Sequence, residues 1–263
     1  MSTQGYWAKM PAPTFLDLPE DTIAVLPLGA TEQHGPHLPL SVDTDIIGAV
    51  TARMLTHLMP EQSVLVLPTL SITKSDEHLD FPGTLSLSGD SLLSALKDIG
   101  SCVARAGVNR LVLFNGHGGN AALLQVAARA LRRDHNLIVV LGSWSGLADW
   151  TGWDADALAH DIHAGESETS VMLAIAPDDV AMDRARNFRS ALDAWQVAFP
   201  QIGLAGKPMQ PGWLAQDLHP DGACGNAAAA SATAGGALVD SSARGFARFL
   251  AAFATFDHRR PPA

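Results

Sequence analysis

Short apolar runs alternate with helix-like stretches through the first half of this chain, and that alternation limits the possible folds more than any other feature. The runs at 22–28 (Thr22-Ile23-Ala24-Val25-Leu26-Pro27-Leu28), 64–70, 110–114 and 137–142 have the length and composition of buried strands. Between them, 44–58, 90–106 and 120–133 read as helices, the last opening at Asn120, a residue type suited to an N-cap. The alternation predicts βαβ crossovers and a mainly parallel sheet covered on both faces. Ligands of such sheets sit outside the carboxyl ends of the strands.

The residues found there are chemically rich. Glu32-Gln33-His34-Gly35-Pro36-His37 follows the first run, with Asp43 and Asp45 close behind. Asn115-Gly116-His117-Gly118-Gly119-Asn120 follows the run ending at Phe114. A third cluster, His163-Ala164-Gly165-Glu166-Ser167-Glu168-Thr169-Ser170, precedes the apolar helix Val171–Ala176, which Pro177 ends. Buried charge is costly unless it is paired or metal-bound. Carboxylate oxygens and imidazoles without thiolates suit Zn, Mn or Fe. Taken singly, Glu32, Asp43 or Asp45 could cap a helix, and His34 and His37 could be half-buried loop residues. Three such clusters together point to a divalent-metal site.

Other chemistries fit less well. The Gly-rich loop around His117 lacks the lysine of a phosphate-binding P-loop, and no HExxH occurs. Gly142-Ser143-Trp144-Ser145-Gly146 has tryptophan where a nucleophile elbow needs serine. Trp144 reads equally as a pocket wall or a core residue. Asp76-Glu77-His78 reads equally as part of the site or as a turn, with His78 the residue that would touch substrate.

A chain of 263 residues, 47% hydrophobic and 17% charged, has material for a large core. It has no compositionally distinct linker and no repeat, so residues 1–263 are expected to form a single domain. Residues 187–222, rich in Gly, Pro and Trp, read as irregular loops near the site; 225–256 reads as Ala-rich helix broken at Gly235-Gly236. A formal charge of −10 argues against nucleic acid or an anionic membrane as partner. Two cysteines, Cys102 and Cys224, make no disulfide framework, and the first residues have no leader pattern. A soluble cytoplasmic protein is expected.

LPLGATEQHGPHLPLSVDTDI, FPGTLSLS, NGHGGN and HAGESETS, in that order between positions 26 and 170, resemble the creatininase family. The resemblance implies a three-layer α/β/α fold with a mainly parallel central sheet, assembled as a homo-oligomer, usually a hexamer. It also implies two divalent ions per chain, of zinc, manganese or iron. By resemblance Glu32, His34, Asp43 and His117 are metal ligands, with Asp43 bridging and Asp45 behind it, and His163 is the acid–base residue. The family's glutamate ligand two residues after the histidine of the NGH loop is Gly119 here. Glu168 matches the carboxylate that takes its place, as ligand and as part of the catalytic set, with Glu166 as the alternative. A family tryptophan that closes over creatinine is Ala159 here, whereas Trp144 matches the other pocket tryptophan.

The expected function is metal-dependent hydrolysis of a C–N amide-like bond in a small-molecule substrate: a cyclic amide, a formamide or a peptide, with a non-peptide bond favoured. Gly118 and Gly119 would let that substrate approach the backbone. NGHGGN with HAGxxETS looks more like the branch of formamide deformylases, the mycofactocin-maturing peptidase and dehydro-sugar hydrolases than like creatininase itself. A cyclic keto-sugar hydrolase and a non-catalytic metal-binding scaffold are the alternatives.

Overall fold

Five strands form a wholly parallel sheet: β1 (Gln4–Tyr6), β2 (Ile23–Leu28), β3 (Val64–Val66), β4 (Arg110–Asn115) and β5 (Ile138–Ser143), ordered β1-β3-β2-β4-β5. The computed structural model describes residues 2–204 and 206–259. Every residue of β2 is buried, which is why its sequence runs apolar without alternation.

The helices are α1 (Val42–Leu55), α2 (Gly89–Arg105), α3 (Ala121–His135), α4 (Trp144–Leu147), α5 (Ala155–His160), α6 (Glu166–Ile175), α7 (Leu192–Ala198), α8 (Ala215–Leu218) and α9 (Ala232–Phe253). Ala24, Leu26 and Leu28 of β2 face Leu92 and Leu96 of α2 and Leu124 and Leu131 of α3. Ile23 and Val25 turn to the other face, against Ile46 and Val50 of α1, Met172 of α6 and Leu238 and Phe246 of α9. The result is three layers, α/β/α. A two-stranded antiparallel ribbon, β6 (Asn187–Phe188) with β7 (Gly225–Asn226), lies apart from the sheet. Among the described residues no helix is long and apolar enough to cross a membrane.

The chain leaves β2 through α1 to β3 on one side and later lays β4 on the other, so the carboxyl ends of β2 and β4 flank a switch point. Leu28 pairs with Asn115 and Asn115 with Ser143, so β2, β4 and β5 end level. That is the crevice where open α/β sheets bind ligands.

Several expectations are corrected. The run 64–70 is strand only over Val64–Val66, because Pro68 has no N–H for a ladder bond. Asn120 does not cap α3 with its side chain; its amide donates to Asn115 Oδ1 and its carbonyl accepts from Lys74 N–H. Gly235-Gly236 does not break α9. A Cβ on Gly235 would collide with the Ser170 carbonyl, so this glycine lets α9 pack directly on the backbone of α6. The stretch 187–222 is less irregular than expected, since it holds β6, α7 and α8.

Candidate metal centre

Local packing carries the donors to the switch point. The loop after β2 is closed by Glu32 N–H donating to Leu40 O at 2.9 Å. Asp43 sits in the first turn of α1. A Cβ on Gly116 would lie 2.8 Å from Asp43 O, so the bare glycine lets the loop after β4 press against α1 and deliver His117 beside Asp43. Asp161 caps α6, accepting from Glu166 N–H at 2.7 Å and Ser167 N–H at 2.9 Å, and Glu168 stands in that helix's first turn. Ala164 N–H donates to Glu168 Oε2 at 2.6 Å from a left-handed backbone, φ +53°, which a non-glycine residue adopts only under constraint.

Glu32, His34, Asp43 and His117 are all at most 4% exposed. Glu32 Oε1 and Asp43 Oδ2 lie 3.2 and 3.3 Å from His117 Nδ1. On its other oxygen, Asp43 Oδ1 is 3.6 Å from His34 Nε2, which is 3.9 Å from Glu168 Oε2. Two donor sets result, Glu32–Asp43–His117 and His34–Asp43–Glu168, with the donor atoms of each set within 4.8 Å of one another. Glu32, His34 and His163 satisfy the same limit. Asp43 is common to the first two sets and offers a different oxygen to each.

Three imidazoles have their outer nitrogens committed to backbone carbonyls. His34 Nδ1–H donates to Glu32 O at 3.0 Å, His117 Nε2–H to Lys74 O at 2.8 Å, and His163 Nε2–H to Gln33 O at 2.8 Å. Each ring then turns a lone pair inward, as second partners do for metal-ligating histidines. Glu32 Oε2, His34 Nε2 and Asp43 Oδ2 are buried without any hydrogen-bond partner. Unpaired buried polar atoms are costly, and these three belong to residues of the two donor sets. Their donor chemistry fits divalent cations.

The charge balance has the same character. Burial would lower the His34 pKa, yet Asp43, Glu168 and Glu32 outweigh it and lift the ring to about 9. His117 is raised well above its usual range, Glu32 and Asp43 overcoming burial. Burial and the Asp43 charge push Glu168 up to about 7, against the pull of His34. On the protein's own charges the carboxylates draw protons onto the nitrogens that would ligate cations. Burial, with the charge of His34, lowers His163 well below its ordinary value and brings His37 to about 4; burial also brings His78 to about 4.

His78 joins the cluster, with Nε2 3.5 Å from Glu32 Oε1 and its ring 4.4 Å from that of His163. Other candidates lie elsewhere. Asp45 accepts from Ser41 Oγ at 2.5 Å. His37 bonds Thr169 Oγ1 at 2.9 Å and stacks on Phe188. Glu166 lines a separate surface cavity with Asp154 and Arg244. Trp144 takes the core placement, 4% exposed and packed toward Trp150. Nothing would meet a Cβ on Gly118 within 4 Å, but the space beside Gly119 is filled by Glu77 and the His117 ring, so substrate cannot use it.

Gln33 carried no role in the sequence reading. Its amide donates to Gly222 O at 2.8 Å and stands 2.8 Å from His78 Nδ1, linking the centre to the late loop. Its only sequence signal was its place inside the first cluster.

A family model described as creatinine amidohydrolase matches residues 8–250. The chain belongs to the creatininase family. Among characterised members it is 38% identical over 163 residues to the mycofactocin precursor peptide peptidase of Mycolicibacterium smegmatis, a match covering 61% of each chain. The chain thus spans less than two thirds of that relative's length. It is 37% identical over 188 residues to the creatinine amidohydrolase of Pseudomonas putida, covering 62% of this chain and 68% of that one. A solved creatininase variant of Zn–Zn type superposes with a TM-score of 0.71 at 27% identity, over 95% of this chain and 98% of the other. The creatininase fold therefore extends across nearly the whole chain, while the similarity to characterised sequences is concentrated in part of it.

Proposed function

We propose that this creatininase-family protein is a metal-dependent hydrolase of a C–N amide-like bond, working with two divalent cations of zinc, manganese or iron. Glu32, Asp43 and His117 would hold one, and His34, Asp43 and Glu168 the other. The observation that carries the reading is Asp43, which turns one oxygen to each donor set while partnerless buried donors surround it. Such a pair of cations supplies a lowered pKa for a bound water and polarisation of the scissile carbonyl.

The chain's own residues account for the rest. His163, with Nε2–H committed to the Gln33 carbonyl, presents Nδ1 as a base 3.8 Å from Glu32 Oε1. Nδ1 takes a proton on the attacking side and returns it at the leaving nitrogen, a role worth about 10²–10⁴ in rate. Gln33, fixed between Gly222 and His78, keeps that ring oriented. Gly118 leaves open space for substrate. The protein acts as one domain over residues 1–263, in a homo-oligomer that the family resemblance makes a hexamer, in the cytoplasm, on a small molecule or short peptide.

Creatinine is a poor substrate on this reading, because position 159 in α5 carries an exposed alanine and no lid. The peptidase and creatininase relatives, at 38% and 37% identity, leave peptide and cyclic amide both as substrate classes. The test is a turnover panel of short peptides, formamides, creatinine and cyclic ketones, with metal-reconstituted and chelated protein. Metal-dependent cleavage of a peptide or formamide supports the reading. Stoichiometric metal with no turnover of any amide favours the scaffold, and turnover of ketones alone favours the keto-sugar hydrolase.

A further inference from the structure

The turn Lys74–His78 lies against the outer edge of His117. Lys74 O accepts His117 Nε2–H at 2.8 Å, and Glu77 Oε1 stands 3.5 Å from the same nitrogen. The Glu77 side chain is 11% exposed, and its other oxygen is 3.2 Å from Lys74 Nζ, which also pairs with Asp76. A Cβ built on Gly119 would collide with Glu77 Oε1 and His117 Nε2 and would lie 2.9 Å from Glu77 Cδ. The missing side chain at 119 and the presence of Glu77 are thus one feature: the carboxylate occupies the volume that any larger residue there would need.

We infer that Glu77 is a positioning residue for the first donor set, a carboxylate lodged beside Gly119 that holds the His117 ring with Nδ1 turned toward Glu32 and Asp43. Glu77 touches neither substrate nor cation. Its negative charge lies behind the ring, where it favours Nε2–H and strengthens the lone pair at Nδ1. Such outer carboxylates are worth about 10–100-fold in metal affinity. Lys74 ties the carboxylate in place, and its carbonyl takes the ring's hydrogen bond, so a single short turn supplies both contacts. The position that holds a glutamate ligand in creatininase-like NGH loops serves here to seat a different glutamate, contributed by another loop.

The inference rests on His117 being a ligand, and the test separates the two ideas. Zn²⁺ affinity is measured by chelator competition on the whole chain for the unchanged protein, Glu77→Gln and Glu77→Asp, with thermal unfolding of each metal-free protein as the control for folding. The expected result is two Zn²⁺ in the unchanged protein and an affinity for one of them weaker by about 10–100-fold in Glu77→Gln. Glu77→Asp, which keeps the charge but withdraws it by one methylene, falls between. A packing role alone predicts the reverse order, the near-isosteric Gln behaving like Glu and Asp being worse; that order overturns the inference. Equal affinities in all three proteins also overturn it. Failure of the unchanged protein to bind Zn²⁺ overturns the two-cation reading and this inference with it. Should Glu77→Gln not fold, Gly119→Ala makes the same test, since its Cβ must displace Glu77 and tilt His117; unaltered affinity there is contrary.

Discussion

The two donor sets that share Asp43 are held in different ways. Glu32, Asp43 and His117 come from the strand ends and the first turn of α1, with side chains at most 4% exposed. His117 is fixed on both sides, by the Lys74 carbonyl at Nε2 and by Asn115, whose amide donates to His117 O at 2.6 Å. In the second set Glu168 is 17% exposed, sits on a helix that begins only at Glu166, and leans on one backbone donor, Ala164 N–H. A group fixed before binding loses less freedom when a cation arrives. The first set should therefore bind its ion more tightly, and the second should respond to how α6 is seated.

Replacing the shared residue should have the largest effect. Asp43→Ala is expected to lose both ions and reduce turnover to background, as read by metal analysis and activity; retention of one tight ion would mean that Asp43 serves only one set. Glu168→Gln should remove the ion of the second set and most activity, leaving the first ion in place, and loss of both ions together would erase the difference between the sets. His163→Ala should lower kcat by about 10²–10⁴ while both ions remain; an ion lost in that variant would make His163 a ligand, as its place beside Glu32 and His34 permits. Gly235→Ala should cost about 1–3 kcal/mol of stability by forcing α9 away from Ser170. It should weaken the second ion more than the first, because Glu168 rides on the same helix. Glu166→Gln should leave both ions bound, since Glu166 faces a different cavity.

Legibility followed locality. Glu32 and His117, two of the three candidate donors of the first set, stand within a few residues of buried apolar strands, so the runs 22–28 and 110–114 point to the fold and to the place of the candidate site, whereas Asp43 arrives on α1. The preference for Glu168 over Glu166 comes from the family resemblance; residues two apart on a helix point in different directions, which says only that one of the two faces the site. What stayed hidden depends on contacts between distant segments. β1 is a three-residue edge strand, Gln4-Gly5-Tyr6, with no apolar pattern to mark it. Gly235 reads as a helix breaker until Ser170 of α6 is found against it. Gln33 acquires its role from Gly222, and Glu77 from Gly119, pairings that no spacing along the chain encodes. Trp144 was ambiguous because a core and a pocket wall demand the same apolar ring.

A crystal structure of zinc-loaded protein, with anomalous scattering collected at the zinc edge, tests the central claim most directly. Two peaks are predicted about 3.5–4 Å apart, one beside Glu32 and His117 and one beside His34 and Glu168, with a separate oxygen of Asp43 on each. A single peak, or a second ion coordinated by Glu166 in place of Glu168, would contradict the account.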